Sequence, residues 1–221
     1  MDNKQQVDKL RDNAELAWAS YGYFHCVGNK FDIKDENKIV SLENVLDITY
    51  KNSKIIDEKG FKLGALDGDF TPTQAKNFFE RYELLEHCPN TDSGFSATLF
   101  KDLGEFDKKA NTRKADSKDL EYTLAIRGTE FKLEQIQDLL NDYYIGTNNS
   151  DMNRVIEQYF DMLLFYEETL KPLLQEKGIA KINVIGHSLG GYLTQLFALS
   201  YPNIINEVYT YNAPLESRSV A

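Results

Sequence analysis

One stretch limits what this chain can fold into more than any other: Ile182-Asn183-Val184-Ile185-Gly186-His187-Ser188-Leu189-Gly190-Gly191. Its first four residues are apolar or strand-compatible, and Tyr192–Leu199 follows with apolar residues at helical spacing. The pattern predicts a strand, a tight turn carrying a serine, then a helix. For Ser188 to project its hydroxyl from the end of a sheet, the backbone must turn sharply there, and the residues two positions away must be small. Gly186 and Gly190 meet that need. This is the layout of a nucleophile elbow, in which the N–H of Leu189, at the helix start, faces an oxyanion formed on a substrate. A bare G-x-S-x-G arises by chance in roughly one chain of this length in fifteen. The strand before it and the helix after it therefore carry the inference.

A length of 221 residues suffices for one α/β domain with a sizeable core, or one domain with a small cap. With 42% hydrophobic and 27% charged residues the profile is that of an ordinary globular protein. A net charge of -10 argues against a nucleic-acid partner and against electrostatic docking on anionic lipid. It does not exclude a lipid substrate, because acyl chains are bound by apolar contact. The sequence has no run of 18 apolar residues, so no transmembrane segment is expected. The polar start Met-Asp-Asn-Lys-Gln-Gln lacks the apolar core of a secretory signal. Cytoplasmic residence, or export without an N-terminal signal, is the expectation.

Cys26 and Cys88 are the two cysteines and read as free, mostly buried thiols. His25-Cys26 and His87-Cys88 nominally form a two-His, two-Cys set. Adjacent side chains point apart, however, and zinc sites favour wider fixed spacings, so neither a metal nor any other cofactor is expected.

Along the chain, residues 5–20 read as an amphipathic helix on Val7, Leu10, Ala14, Ala17 and Trp18, ended by Tyr21-Gly22-Tyr23. Residues 30–70 are irregular and read as loops with a small cap. Thr71 is the N-cap of a further helix, with Pro72 in its first turn and Ala75, Phe78 and Phe79 facing inward. Strands are expected at 82–87, 95–100 and 121–126, with the charged segment 101–120 a solvated hairpin loop. A short helix over 133–141 precedes a long one over 152–175, whose apolar face is Val155, Ile156, Tyr159, Phe160, Leu163, Leu164 and Tyr166 and which Gly178 stops. After the elbow comes a strand at 207–211. The order β-β-α-α-β-α-β from residue 95 implies a mixed sheet covered by helices, without repeats or a separating linker. The expected organisation is a single α/β domain over 1–221, with N-terminal helices and a cap in 1–94 and the elbow-bearing core in 95–221.

With the elbow in place, Thr123-Leu124-Ala125-Ile126-Arg127-Gly128-Thr129 resembles the strand–RGT segment of the class-three lipases, a branch of the α/β-hydrolases. Tyr209-Thr210-Tyr211-Asn212-Ala213-Pro214 resembles the strand ending in a small residue and proline that follows their elbow helix. Resemblance to large bacterial lipase-like proteins extends over roughly residues 95–215 and is looser over 1–94. It implies an α/β-hydrolase-like mixed sheet flanked by helices. It also implies a lipase or phospholipase-like ester hydrolase, with Ser188 as nucleophile and Thr129 and Leu189 as oxyanion donors. Gly128, Gly186, His187 and Gly190 would support the motif. Asp138 and Asp142 fall near acidic positions that follow the RGT segment in the family and read as structural, through hydrogen bonds to backbone or to Arg127.

The sequence departs from the family after the elbow. Only 33 residues follow Ser188, with no histidine and no aspartate; Glu207 and Glu216 are the only acids there. A serine needs a base and the base an orienting acid, which α/β-hydrolases place after the serine in chain order. His187 is adjacent to Ser188 and its side chain diverges, while His25 and His87 lie upstream, in segments that the resemblance would place at the cap or sheet edge. The expectation is a fold incomplete on its C-terminal side, truncated after the elbow. It would be nearly inactive alone and would need a second polypeptide segment to supply Asp and His. Two alternatives stay open: a non-catalytic binding or interaction module on the same fold, and an unusual triad completed by His25 or His87.

Overall fold

The computed structural model describes residues 2–31, 38–104, 106–107, 112–113, 120–128 and 150–213. Helix α1 (Asn3–Ala19) starts where Asp2 accepts the Gln5 N–H and the Gln5 side chain accepts the Asp2 N–H, both at 2.8 Å. This reciprocal cap satisfies two donors that the first helical turn leaves without partners. The buried face differs from the apolar spacing. Asn13, Leu16, Ala17 and Ala19 point inward, whereas Val7, Leu10 and Trp18 remain exposed.

Strand β1 (Lys30–Phe31), helix α2 (Leu42–Leu46), strand β2 (Lys54–Ile56) and strand β3 (Lys62–Ala65) follow. The segment read as irregular loops thus contains a three-stranded antiparallel sheet, β1-β2-β3. Its strands are two to four residues long, too short for a period-2 pattern to register. Phe31 and Ile55 are its buried anchors.

Helix α3 (Pro72–Arg81) has the expected cap, Thr71 Oγ1 accepting the Gln74 N–H, with Ala75 and Phe78 buried and Phe79 partly so. It runs directly into strand β4 (Tyr82–Cys88). Strand β5 (Ala97–Asp102) is followed by the hairpin strands β6 (Phe106–Asp107) and β7 (Thr112–Arg113), then by β8 (Tyr122–Ile126). Helix α4 (Ser150–Phe165) passes through a π-turn at Tyr166–Leu170 into α5 (Lys171–Glu176). The wider turn sits just ahead of Pro172, which has no N–H to give to the preceding turn. Here too the apolar stripe overstates burial: Val155, Met162 and Tyr166 are buried, but Ile156, Phe160 and Leu164 are exposed. Strand β9 (Ile182–His187), helix α6 (Leu189–Ser200) and strand β10 (Ile205–Tyr211) end the described chain. The expected helix at 133–141, Asp138, Asp142 and residues 214–221 lie outside the described residues.

The main sheet has the order β10-β9-β8-β5-β4. Strands β10, β9 and β8 are parallel, and β5 and β4 continue antiparallel, so the sheet is mixed as expected. Strand β8 is buried on both faces from Thr123 to Ile126, the mark of a central strand covered on both sides. On one face Phe100, Ala125 and Ile185 pack with α1, α3 and the small sheet. On the other, Leu99, Leu124, Ile126 and Val184 pack with Met162, Leu174, Leu193 and Phe197 from the three C-terminal helices. Salt bridges from Lys9 to Glu207 and Glu121, and the Tyr211 hydroxyl donating to the Leu10 carbonyl at 2.6 Å, fix α1 across β8 and β10.

Phe100 is fully buried and meets the Phe24 and Phe78 rings edge-on. Phe100→Ala is expected to lower the unfolding free energy by about 3–5 kcal/mol, read from urea denaturation. A loss under about 1 kcal/mol would mean that this face of the sheet is not a packed core.

Candidate active site

Three parallel strands end side by side: Ile126 of β8 pairs with Gly186 of β9, and His187 of β9 pairs with Tyr211 of β10. Ser188 follows immediately. Its backbone lies at φ 55°, ψ -127°, a region that L residues with a Cβ avoid. The turn is held from both sides. The Ser188 N–H donates to the Tyr211 carbonyl at 2.9 Å, and the Ser188 carbonyl accepts from Gly191 at 3.0 Å and Tyr192 at 3.3 Å. The glycines flanking the serine have a sharper reason than small size. A Cβ on Gly186 would stand 2.3 Å from the Gly190 carbonyl oxygen, and one on Gly190 would stand 2.3 Å from that of Ile126. Strand β8, the elbow and α6 thus approach backbone to backbone, which no larger residue permits. Leu189 is the first residue of α6, so its N–H has no acceptor within the helix and remains available beside Ser188.

Arg127 and Gly128 leave the end of β8 and run over the elbow. A Cβ on Gly128 would meet the His187 carbonyl oxygen and the Tyr21 hydroxyl, each at 2.5 Å, and the Ser188 Cβ at 3.4 Å. Arg127 is tied down beside it. Its guanidinium lies 4.7 Å from the Tyr23 ring centre and 5.6 Å from that of Tyr21. It also donates to the Tyr23 hydroxyl at 3.0 Å and to Asn90 Oδ1 at 3.1 Å. Sequence reasoning missed these partners, taking Tyr21-Gly22-Tyr23 only as a helix end. The one signal was two tyrosines flanking a glycine. Thr129 lies outside the described residues.

Each of the three histidines is engaged away from Ser188. His187 Nδ1 meets the Tyr21 hydroxyl at 3.0 Å. His87 Nδ1 meets Thr98 Oγ1 at 2.9 Å, and its ring stacks on His25 at 5.8 Å between centres with 6° between planes. Burial lowers the pKa of all three. For His87 the charges of His25 and Arg127 add to burial, and the value falls to about 4. Among the described residues no imidazole hydrogen-bonds the Ser188 hydroxyl. Cys26 is buried and Cys88 half-buried, both as free thiols. Among the described residues no group of three or more His, Cys, Asp or Glu gathers as metal ligands, and no helix is long and apolar enough to cross a membrane.

A family model described as the alpha/beta hydrolase fold matches residues 159–220. Protein ECM18 of Saccharomyces cerevisiae is 38% identical over 66 residues, 30% of this chain and 14% of that protein. The 1-acylglycerol-3-phosphate O-acyltransferase ICT1 of the same yeast is 28% identical over 109 residues, 49% of this chain and 27% of that protein. A lipase from Rhizopus microsporus var. chinensis has a TM-score of 0.52 at 15% identity, over 96% of this chain and 59% of the lipase. The chain therefore spans about three fifths of that solved lipase, and the matches take in about a quarter or less of the two curated relatives. Its mixed sheet, covered by helices on both faces, is the α/β-hydrolase fold, similar to that of lipases.

Two outcomes follow from the site's geometry. Ser188→Gly removes the side chain from a backbone conformation that only glycine adopts freely, and is expected to raise the unfolding free energy by about 1 kcal/mol in urea titration. No gain would mean that the turn is unstrained. For His87, the folded protein takes up no proton until about pH 4, whereas the unfolded chain does so near pH 6.5. Acidification across that window therefore favours unfolding, by on the order of 3 kcal/mol at full extent. Stability measured from pH 7 to 4.5 should fall less steeply in His87→Gln than in the parent; parallel curves would refute the burial of a neutral imidazole.

Proposed function

We propose that Ser188 is the nucleophile of a lipase-like ester hydrolase acting on carboxylic esters of lipids through an acyl-serine intermediate. The observation that carries this reading is the glycine-only backbone conformation of Ser188 at the end of the central parallel strands. A chain keeps such strain where it serves a reacting atom. The fold similarity to a lipase supports the substrate class.

In this mechanism Ser188 Oγ bonds to the acyl carbon as its proton passes to a base. The carbonyl oxygen becomes an oxyanion, held by the backbone N–H groups of Leu189 and Thr129. Each such donor is worth about 3–4 kcal/mol in the transition state. Collapse breaks the bond to the alkoxide, which leaves with a proton, and water then cleaves the acyl-serine to free acid and Ser188. The acyltransferase named among the relatives fits the same intermediate, with a lipid alcohol taking the place of water.

The base lies outside the three imidazoles of this chain, each of which is engaged elsewhere. A histidine and its acid from a second polypeptide segment complete the proposed triad. The same observation favours the second reading, a non-catalytic binding module that keeps the elbow without using it.

Free imidazole separates the two readings. Intact-mass analysis of the 221-residue chain with a fluorophosphonate probe is expected to show slow labelling that added imidazole accelerates at least tenfold, and no labelling in Ser188→Ala. A folded chain that stays unlabelled with imidazole present would leave the binding-module reading standing.

A further inference from the structure

Tyr21 is the residue that the mechanism does not use and the site cannot be drawn without. It lies just past the end of α1, far from the elbow in sequence, yet its hydroxyl and ring together meet three parts of the site. It hydrogen-bonds His187 Nδ1 at 3.0 Å. It occupies the space where a Gly128 side chain would stand, 2.5 Å from that ideal Cβ. Its ring supports the Arg127 guanidinium at 5.6 Å. Burial holds the phenol neutral and its pKa up, and holds His187 neutral as well. The phenol therefore keeps its proton, and a neutral His187 accepts it at Nδ1 in the tautomer protonated on Nε2.

We propose that Tyr21 is a positioning residue that latches the Arg127-Gly128 oxyanion loop onto the elbow, tying the end of α1 to both halves of the site. The hydroxyl fixes His187 as the Nε2-protonated tautomer and sets the height of Gly128 above Ser188. The latch also explains the glycine of the Arg-Gly-Thr segment: a larger residue at 128 would displace the phenol and strike the His187 carbonyl. This inference rests on the ester-hydrolase reading, because an oxyanion loop has no use on a silent elbow.

Tyr21→Phe keeps the ring under Arg127 and removes only the hydroxyl. Two measurements on the full chain test it: the rate of fluorophosphonate labelling at Ser188 with imidazole present, and the ¹⁵N shifts of the His187 ring. The expected result is a labelling rate reduced about tenfold, a redistribution of the His187 proton toward Nδ1, and a melting temperature within a few degrees of the parent. Equal labelling rates with unchanged His187 shifts would overturn the proposal. So would a loss of rate that only tracks a loss of fold, shown by a matching fall in melting temperature. If the parent chain itself fails to label, the ester-hydrolase reading falls, and with it the catalytic purpose of the latch. An unchanged His187 tautomer in that case would remove the hydrogen bond as well.

Discussion

The site depends on one close approach: the peptide backbones of β8, the Ser188 turn and the first turn of α6 meet with no side chain between them. Gly186 and Gly190 each fill the space that the other element's carbonyl leaves, at separations no Cβ tolerates. That packing turns a strained φ,ψ pair at Ser188 into a stable feature, because relaxing the turn would pull α6 off the sheet and expose Leu193 and Phe197, both fully buried. Strain here is held by hydrophobic burial some distance away. A helix of 12 residues with six buried positions is enough to hold it.

The sheet supplies the direction. Parallel strands β8, β9 and β10 place their carboxyl ends on one edge, so the turns after Ile126 and His187 must meet there, and Tyr211 ends beside them. The antiparallel strands β5 and β4 extend the sheet sideways and bring His87 to its far flank, under Phe24 and against His25. Two of the three imidazoles are thereby built into the aromatic packing beside α3. Their low proton affinity is a consequence of that packing, and burial is the largest cause for each.

Much of this was legible in the sequence because it is local. The strand–Ser–helix pattern, the Thr71 cap, the other four strands of the main sheet and the Gly178 stop each depend on residues within a turn or two of one another. What escaped was of two kinds. Strands of two to four residues between 30 and 65 carry no period. The stripes on α1 and α4 assigned Val7, Leu10, Phe160 and Leu164 to the inside when only neighbouring residues are covered. The second kind is contact across the chain. Nothing near Arg127 announces that Tyr21 and Tyr23 will receive it, since the pairing exists only once α1 lies on the sheet. The likeness to the lipase shows the fold.

Placing part of the site on the end of α1 has a thermodynamic consequence. Helix α1 is held by polar contacts at its outer half, Lys9 to Glu207 and Glu121 and Tyr211 to Leu10, and by the buried Leu16, Ala17 and Ala19 at its inner half. The outer contacts are partly exposed and individually weak. The inner ones belong to the same core as Phe78 and Phe100. Fraying of the first turns therefore leaves Tyr21 and Tyr23 in place, whereas release of the last turn takes both away from Arg127. The core that holds the last turn of α1 includes Phe100, Ala125 and Ile185 of the sheet itself, so the end of α1 and the strands that carry Ser188 share one packing. The serine at the end of β9 and the tyrosines that receive Arg127 are brought together by that shared burial.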